Sequence, residues 1–141
     1  MKKIELEIVA LSHSITQTHS YAVVLGEVNG LRRLPIVIGG FEAQAIAVAL
    51  EKMHPSRPLT HDLMALILAA VGAKVDRVIV NDLKSGTYFG RLIITAENEL
   101  QQRKIIELDS RPSDCLAMAT QQKAPIFVSR EVWDEVEDMS D

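Results

Sequence analysis

The 141-residue chain reads as one α+β domain, 1–141, with a mainly antiparallel sheet and packed helices. Three observations predict this. Apolar runs of strand length come in groups joined by hairpin signals, segments of helical period stand between them, and the chain nearly superimposes on itself when shifted by 70 residues. In that overlay Arg33–Gly40 lies over Arg103–Ser110, Ala43–Ala49 over Ser113–Ala119, and Pro55 over Pro125. The match is mainly one of apolar pattern, and it predicts an internal duplication with a 70-residue offset. The two strand-to-helix junctions, Gly39–Glu42 and Asp109–Asp114, would then be equivalent in position yet different in chemistry. A site is expected where they differ.

Each element has its own signal. Ile4-Glu5-Leu6-Glu7-Ile8 alternates at period two, as a strand with one buried face does. Tyr21–Val28 and Leu31–Ile38 are apolar runs joined by Asn29-Gly30, a strong hairpin signal. Ala43, Ile46, Leu50 and Met53 recur at helical spacing until His54-Pro55 ends the helix. That helix, rich in alanine on several faces, is expected to be sandwiched. Thr60 is expected to cap a second helix that turns Leu63, Leu66, Ile67 and Val71 toward a core, with Gly72 as its stop. Val75–Leu83 and Tyr88–Thr95 read as strands around Lys84-Ser85-Gly86-Thr87, and Lys104–Leu108 as a third. Pro112 suits the first turn of a helix running to about Gln122. Cys115 falls on that helix's apolar stripe with Met118 and Ala119, so its thiol is expected to be buried and unreactive. Ile126–Val128 reads as a short strand, and Ser129 as the cap of a last helix carrying Val132, Trp133 and Val136.

Composition limits the function. The chain is 48% hydrophobic and 24% charged, which is globular rather than disordered. No apolar run reaches the roughly 18 residues of a membrane span, and the N-terminus lacks a signal-peptide core. A cytoplasmic protein without membrane contact is the expectation. The single cysteine excludes an internal disulfide. The net charge of −4 is unevenly placed, because the stretch from about 131 to 141 contains six acids and no base. The remaining body is only weakly basic, so contact with RNA or DNA must be local rather than a broad electrostatic surface. Exposed sheet edges predict a homodimer or higher homo-oligomer, and the acidic tail is expected to be exposed beyond about Glu137.

Four local groups could carry chemistry. Gly39-Gly40-Phe41-Glu42 is a strand-to-helix turn whose free N–H groups, Gly40 included, suit an anion; its ordinary role is a tight turn with Glu42 on the helix dipole. Arg57-Pro58-Leu59-Thr60-His61-Asp62 brings a cation, an imidazole and a carboxylate to a helix start. There His61 could act as general base or metal ligand, oriented by Asp62, or could simply point to solvent. His13, His19 and His54 have no such neighbours and read as surface residues. Asp109-Ser110-Arg111-Pro112-Ser113-Asp114 opens the other helix. Arg111 and Ser113 suit phosphate, and Asp109 and Asp114 could hold a divalent cation such as Mg²⁺ or merely charge the first turn. The hairpin Lys84–Arg91 sets aromatics beside cations, as base stacking would need and as a plain turn also allows.

With Leu34–Gly39, Glu42-Ala43, Arg57–Leu63, Gly86–Phe89, Asp109–Asp114 and Ala124–Val128 in this order, the chain resembles the bifunctional nuclease domain family over roughly residues 4 to 137. Ser110 is a departure, since the family more often has alanine there. The resemblance implies an α+β domain, often oligomeric. Plant members are credited with cleaving both RNA and DNA, whereas most bacterial members have no demonstrated activity. Many members carry an additional C-terminal module absent from this sequence, and no catalytic residue is carried over. Two function classes follow. In a nuclease, Arg57, Arg111, Ser113 and Gly40 would hold phosphate while His61, Asp62, Asp109 and Asp114 serve as base, orienting group or cation ligands. In a non-enzymatic oligomeric domain, the same residues would be ion pairs and caps around a small anionic ligand or a protein partner.

Overall fold

The computed structural model describes residues 3–13 and 20–139, with side chains for 3–12 and 20–136. The predicted roles of His13 and His19, and of the tail beyond Glu137, lie outside the described side chains. The strands are β1 (Lys3–His13), β2 (Ser20–Glu27), β3 (Arg33–Gly39), β4 (Ala73–Lys84), β5 (Thr87–Glu97), β6 (Arg103–Ser110) and β7 (Ile126–Ser129). The helices are α1 (Gly40–Leu50), α2 (Thr60–Ala70), α3 (Pro112–Gln122) and α4 (Arg130–Met139). One seven-stranded sheet runs in the order β3-β2-β1-β7-β4-β5-β6. Its pairs are antiparallel except β4–β7, which is parallel. The expected α+β fold with a mainly antiparallel sheet is what forms.

Two three-stranded meanders, β1-β2-β3 and β4-β5-β6, are joined by β7. Alternation decides which face of each meander is buried: Leu34, Ile36 and Ile38 of β3 point inward while Arg33, Pro35 and Val37 point out. On the inner face lie α1 and α3, which pack on each other, and α3 also touches β3, β4 and β5. Since α3 leaves one edge of the sheet and reaches the other, the sheet curls around the helix pair. The core between them is continuous and includes Val23, Leu25, Ile46, Val78, Leu116, Met118 and Val128. Alanine-rich α1 is sandwiched between sheet and α3, as its composition predicts, although it ends at Leu50 and leaves Met53 exposed.

Paired elements recur at 70-residue spacing. Lys3, Arg33 and Thr60 open β1, β3 and α2, and Ala73, Arg103 and Arg130 open β4, β6 and α4. This is recurrence of element order and does not establish a duplication. The second helices of the two halves also pack differently: α2 lies on α3 and β4, whereas α4 packs on β4 and β7.

The described helix α2 departs from expectation twice. Leu59, not Thr60, occupies the N-cap, and its backbone N–H donates to the Asp62 carboxylate at 2.8 Å. Leu63, Leu66, Ile67 and Val71 are exposed, not turned toward the core. The helix is held in phase by polar contacts at its start: His61 bonds Asp114 and Asp62 bonds Gln121. Those anchors turn the His61–Ala65–Leu68 stripe onto α3, and a single stripe cannot bury the remaining apolar positions. Gly72 does stop the helix, at φ +74°, where only glycine is unstrained. Ser129 caps α4 as expected, its Oγ accepting the Val132 N–H at 3.3 Å. Among the described residues no helix is long and apolar enough to cross a membrane.

Candidate functional site

The starts of α1, α2 and α3 converge. Glu42, in the first turn of α1, is only 5% exposed, a costly place for a carboxylate unless it is paired. It accepts from Arg111 Nη2 at 2.8 Å and from Ser113 Oγ at 3.3 Å. A Cβ on Gly39 would meet the Glu42 Oε2 at 2.9 Å, so the small residue at that turn lets the carboxylate fold back over the helix start. Asp114 is the hub of the cluster. Its Oδ2 accepts from Arg111 Nε at 3.0 Å and Nη2 at 2.9 Å, and its Oδ1 lies 3.0 Å from His61 Nε2. The adjacent Asp114 carboxylate pushes the Arg111 guanidinium further up from its ordinary value.

His61 is 6% exposed, and an ionised Asp114 is acceptor-only, so the Nε2 facing it carries the proton. In the neutral ring Nδ1 is then left as a proton acceptor. His61 also lines a cavity of about 810 Å³ enclosed by α1, the loop after it, α2 and the end of α3. The rest of its wall is largely apolar, with Val48, Met53, Pro58, Leu59 and Leu66, but Lys52, His54 and Lys123 stand on it too. Among the described residues the ammonium groups of Lys52 and Lys123 have no hydrogen-bond or ion-pair partner. The Oε1 of Gln121, another lining residue, is buried without a partner, while its Nε2 donates to Asp62 Oδ1.

The predicted site residues divide accordingly. His61, Asp114, Arg111 and Ser113 meet in one hydrogen-bonded cluster that reaches Glu42. Asp62 stands beside them, bonded to Leu59 and Gln121 rather than to His61. Gly40 opens α1 beside Gly39. Arg57 is exposed, between two cavity-lining residues, Ser56 and Pro58. Asp109, exposed and opposite Arg91 in the β5–β6 register, stands outside the hydrogen-bonded cluster. Glu42, Lys52, Lys123 and Gln121 were not singled out as site residues. Glu42 had a legible signal, its place in one of the two overlaid junctions, which Arg111 of the other now contacts; the lysines and Gln121 had none.

Electrostatically the cluster is rich in carboxylates. Glu42, Asp62 and Asp114 each place a carboxylate in the first turn of its helix, and Arg111 is engaged by Glu42 and Asp114. The helix starts therefore already hold their own anions. Nor, among the described residues, do three His, Cys, Asp or Glu gather as a ready cation cage. Two cations without an ion pair, Lys52 and Lys123, are on the cavity wall instead.

Comparisons with known proteins bear on this geometry. The family model of the bifunctional nuclease domain matches residues 23–140. An uncharacterized protein of Mycobacterium tuberculosis is 40% identical over 110 residues, covering 78% of this chain and 62% of that protein. Bifunctional nuclease 2 of Oryza sativa subsp. japonica is 27% identical over 97 residues, 69% of this chain and 29% of its own length. Bifunctional nuclease of Oryza minuta is 26% identical over 99 residues, 70% of this chain and 29% of its own. The chain thus spans about three fifths of the mycobacterial relative and under a third of the rice proteins.

Proposed function

The chain belongs to the bifunctional nuclease domain family, and on that premise we propose that it hydrolyses phosphodiester bonds in RNA or DNA at the cavity lined by His61. The observation that carries the reading is the hydrogen-bonded His61–Asp114–Arg111 chain, buried at His61, beside a cavity with two lysines whose ammonium groups are unpaired. In this mechanism Asp114 holds the ring with Nε2 protonated, and Nδ1 takes a proton from water as its oxygen attacks phosphorus. The ester P–O bond breaks, and the imidazolium returns the proton to the departing oxygen. Lys52 and Lys123 would hold the phosphate and balance the charge that develops on it. Arg57 would contact a neighbouring phosphate at the rim, and Arg111 would anchor Asp114 rather than bind substrate. Ser113 and Gly40 support Glu42 and the helix start in this scheme, and Asp62 sets the position of α2. Asp109, which does not line the cavity, has no part in this scheme. A divalent cation such as Mg²⁺ enters as an assay variable. A cytoplasmic location agrees with the free, buried Cys115.

A second reading is favoured by how fully Arg111 is engaged. The cluster then clamps three helix starts together, and the domain is a non-enzymatic oligomer that binds a small anionic ligand or a protein partner. The test is hydrolysis of single-stranded RNA and DNA by purified protein, with Mg²⁺ and with a chelator, beside a His61→Ala control prepared identically. Activity lost in the control supports the nuclease. Equal activity in both, or none in either, overturns it in favour of the clamp.

A further inference from the structure

Helix α2 presents an outer face that the fold leaves without a partner. From Leu63 to Ala73 the chain contains no charged or polar side chain. Leu63 is 53% exposed, Met64 40%, Leu66 56%, Ile67 56% and Val71 68%. Side chains of this size at such exposures present roughly 500 Å² of contiguous apolar surface, near the top of what a monomer normally leaves in water. A helix apolar on every side is stable only when covered on every side.

We propose that this face is the contact between two copies of the chain, related by a twofold axis that sets α2 against the partner's α2. Chemistry selects the occupant. A helix lying on a lipid surface needs lysines or arginines along its polar side, and α2 has none. Nucleic acid needs cations and gains nothing from Leu and Ile. An uncharged face is compatible with itself: a twofold contact sets like against like, and no charge here meets its own copy. The small residues Ala69 and Ala70, both exposed, let two helices approach closely. About 500 Å² per copy is over half of the ~800 Å² that each partner of a standard interface buries, and the exposed Met53, which shares a cavity wall with Leu66, extends it. The contact also borders the cavity. Leu66 and Met53 belong both to the exposed apolar surface and to the cavity wall, so the second copy supplies one side of its mouth.

The experiment reads mass, not activity, and so stands or falls independently of the nuclease reading. Sedimentation or light scattering at micromolar concentration is expected to give a two-copy mass, with Ile67→Asp weakening the association about a hundredfold or more. A one-copy mass for the native chain, including one that binds lipid vesicles or needs another protein, overturns the proposal, as does an Ile67→Asp chain of unchanged mass. Should Ile67→Asp fail to fold, cysteines placed singly at Leu63, Ile67 and Ala70 answer instead. Across a twofold axis at least one faces its own copy and forms a covalent dimer on mild oxidation, while a cysteine at Glu131 of α4 does not. No crosslink at any of the three overturns the α2 contact.

Discussion

Replacing Asp114 by Asn tests whether the His61–Asp114–Arg111 chain orients a base or only clamps helices. The change keeps the shape and removes the charge. Two interactions are lost or weakened, and they differ in worth. Arg111 is 71% exposed at its side chain, so its pair with Asp114 is screened and contributes little. The His61 contact, with side chains 7% and 29% exposed, is a hydrogen bond to a charged group in a nearly dry place and contributes about 1–2 kcal/mol. In a chain of this length that lowers Tm by about 3–8 °C. Against a total of roughly 5–15 kcal/mol the variant stays almost wholly folded at 25 °C, so unfolding cannot lower its rate. Loss of the orienting charge, however, lets the ring adopt the other tautomer, with Nδ1 protonated and useless as a base. A drop of about 10²–10⁴ in kcat is then expected. Thermal melts and initial rates on single-stranded RNA, taken from the same preparation, separate the two effects. A Tm shift with a wild-type rate would refute the orienting role. So would a double variant, Asp114→Asn with His61→Ala, whose rate loss is the product of the single losses, because groups acting as one unit are not additive.

Two further predictions concern protonation. Burial pushes the Cys115 thiol up to about 12, so the folded state keeps its proton after the unfolded thiol has ionised, near 9. Its contribution to stability is complete below pH 9 and declines as pH rises toward 12, by about 1.4 kcal/mol at pH 10. Urea melts of native and Cys115→Ala protein at pH 7 and 10 are expected to show this extra loss only with the thiol present, and native Cys115 should resist thiol reagents at neutral pH. Arg32 donates two side-chain bonds and its backbone N–H to Glu27, holding that carboxyl below its ordinary value. This contribution is present above about pH 4.5 and lost as pH falls, so Glu27→Gln should cost about 1 kcal/mol at neutral pH and flatten the acid limb of a stability–pH curve.

What was legible in the sequence was local. Asn29-Gly30 sits in the β2–β3 turn, Pro112 opens α3, Gln122 ends it, Gly72 stops α2, and Cys115 is buried, because each follows from backbone chemistry or period within a few residues. The phase of α2 was misread because every one of its later positions is apolar, so hydrophobic pattern could not choose a face. Two polar residues at its start, reaching Asp114 and Gln121 more than fifty positions away, made the choice. For the same reason His61 and Asp62 could be nominated individually but not as separate anchors with different partners. Glu42 looked like a residue on a helix dipole, and only the curl of the sheet brings Arg111 to it. The parallel β4–β7 pair had no local signal either, since β7 is four residues long.

That short strand has a consequence for how the molecule is made. Ile4 pairs with Val128 and Val78 with Ile126, so the middle of the sheet is assembled from pieces near opposite ends of the sequence. As the chain leaves the ribosome, each meander can form from local turns, but β1 and β4 must both wait with an open edge until residues 126–129 emerge. Such loop closure is slow relative to hairpin formation, and open edges are where nascent chains stick to one another. Aggregation during synthesis should therefore be governed less by the core than by how soon that four-residue wedge arrives.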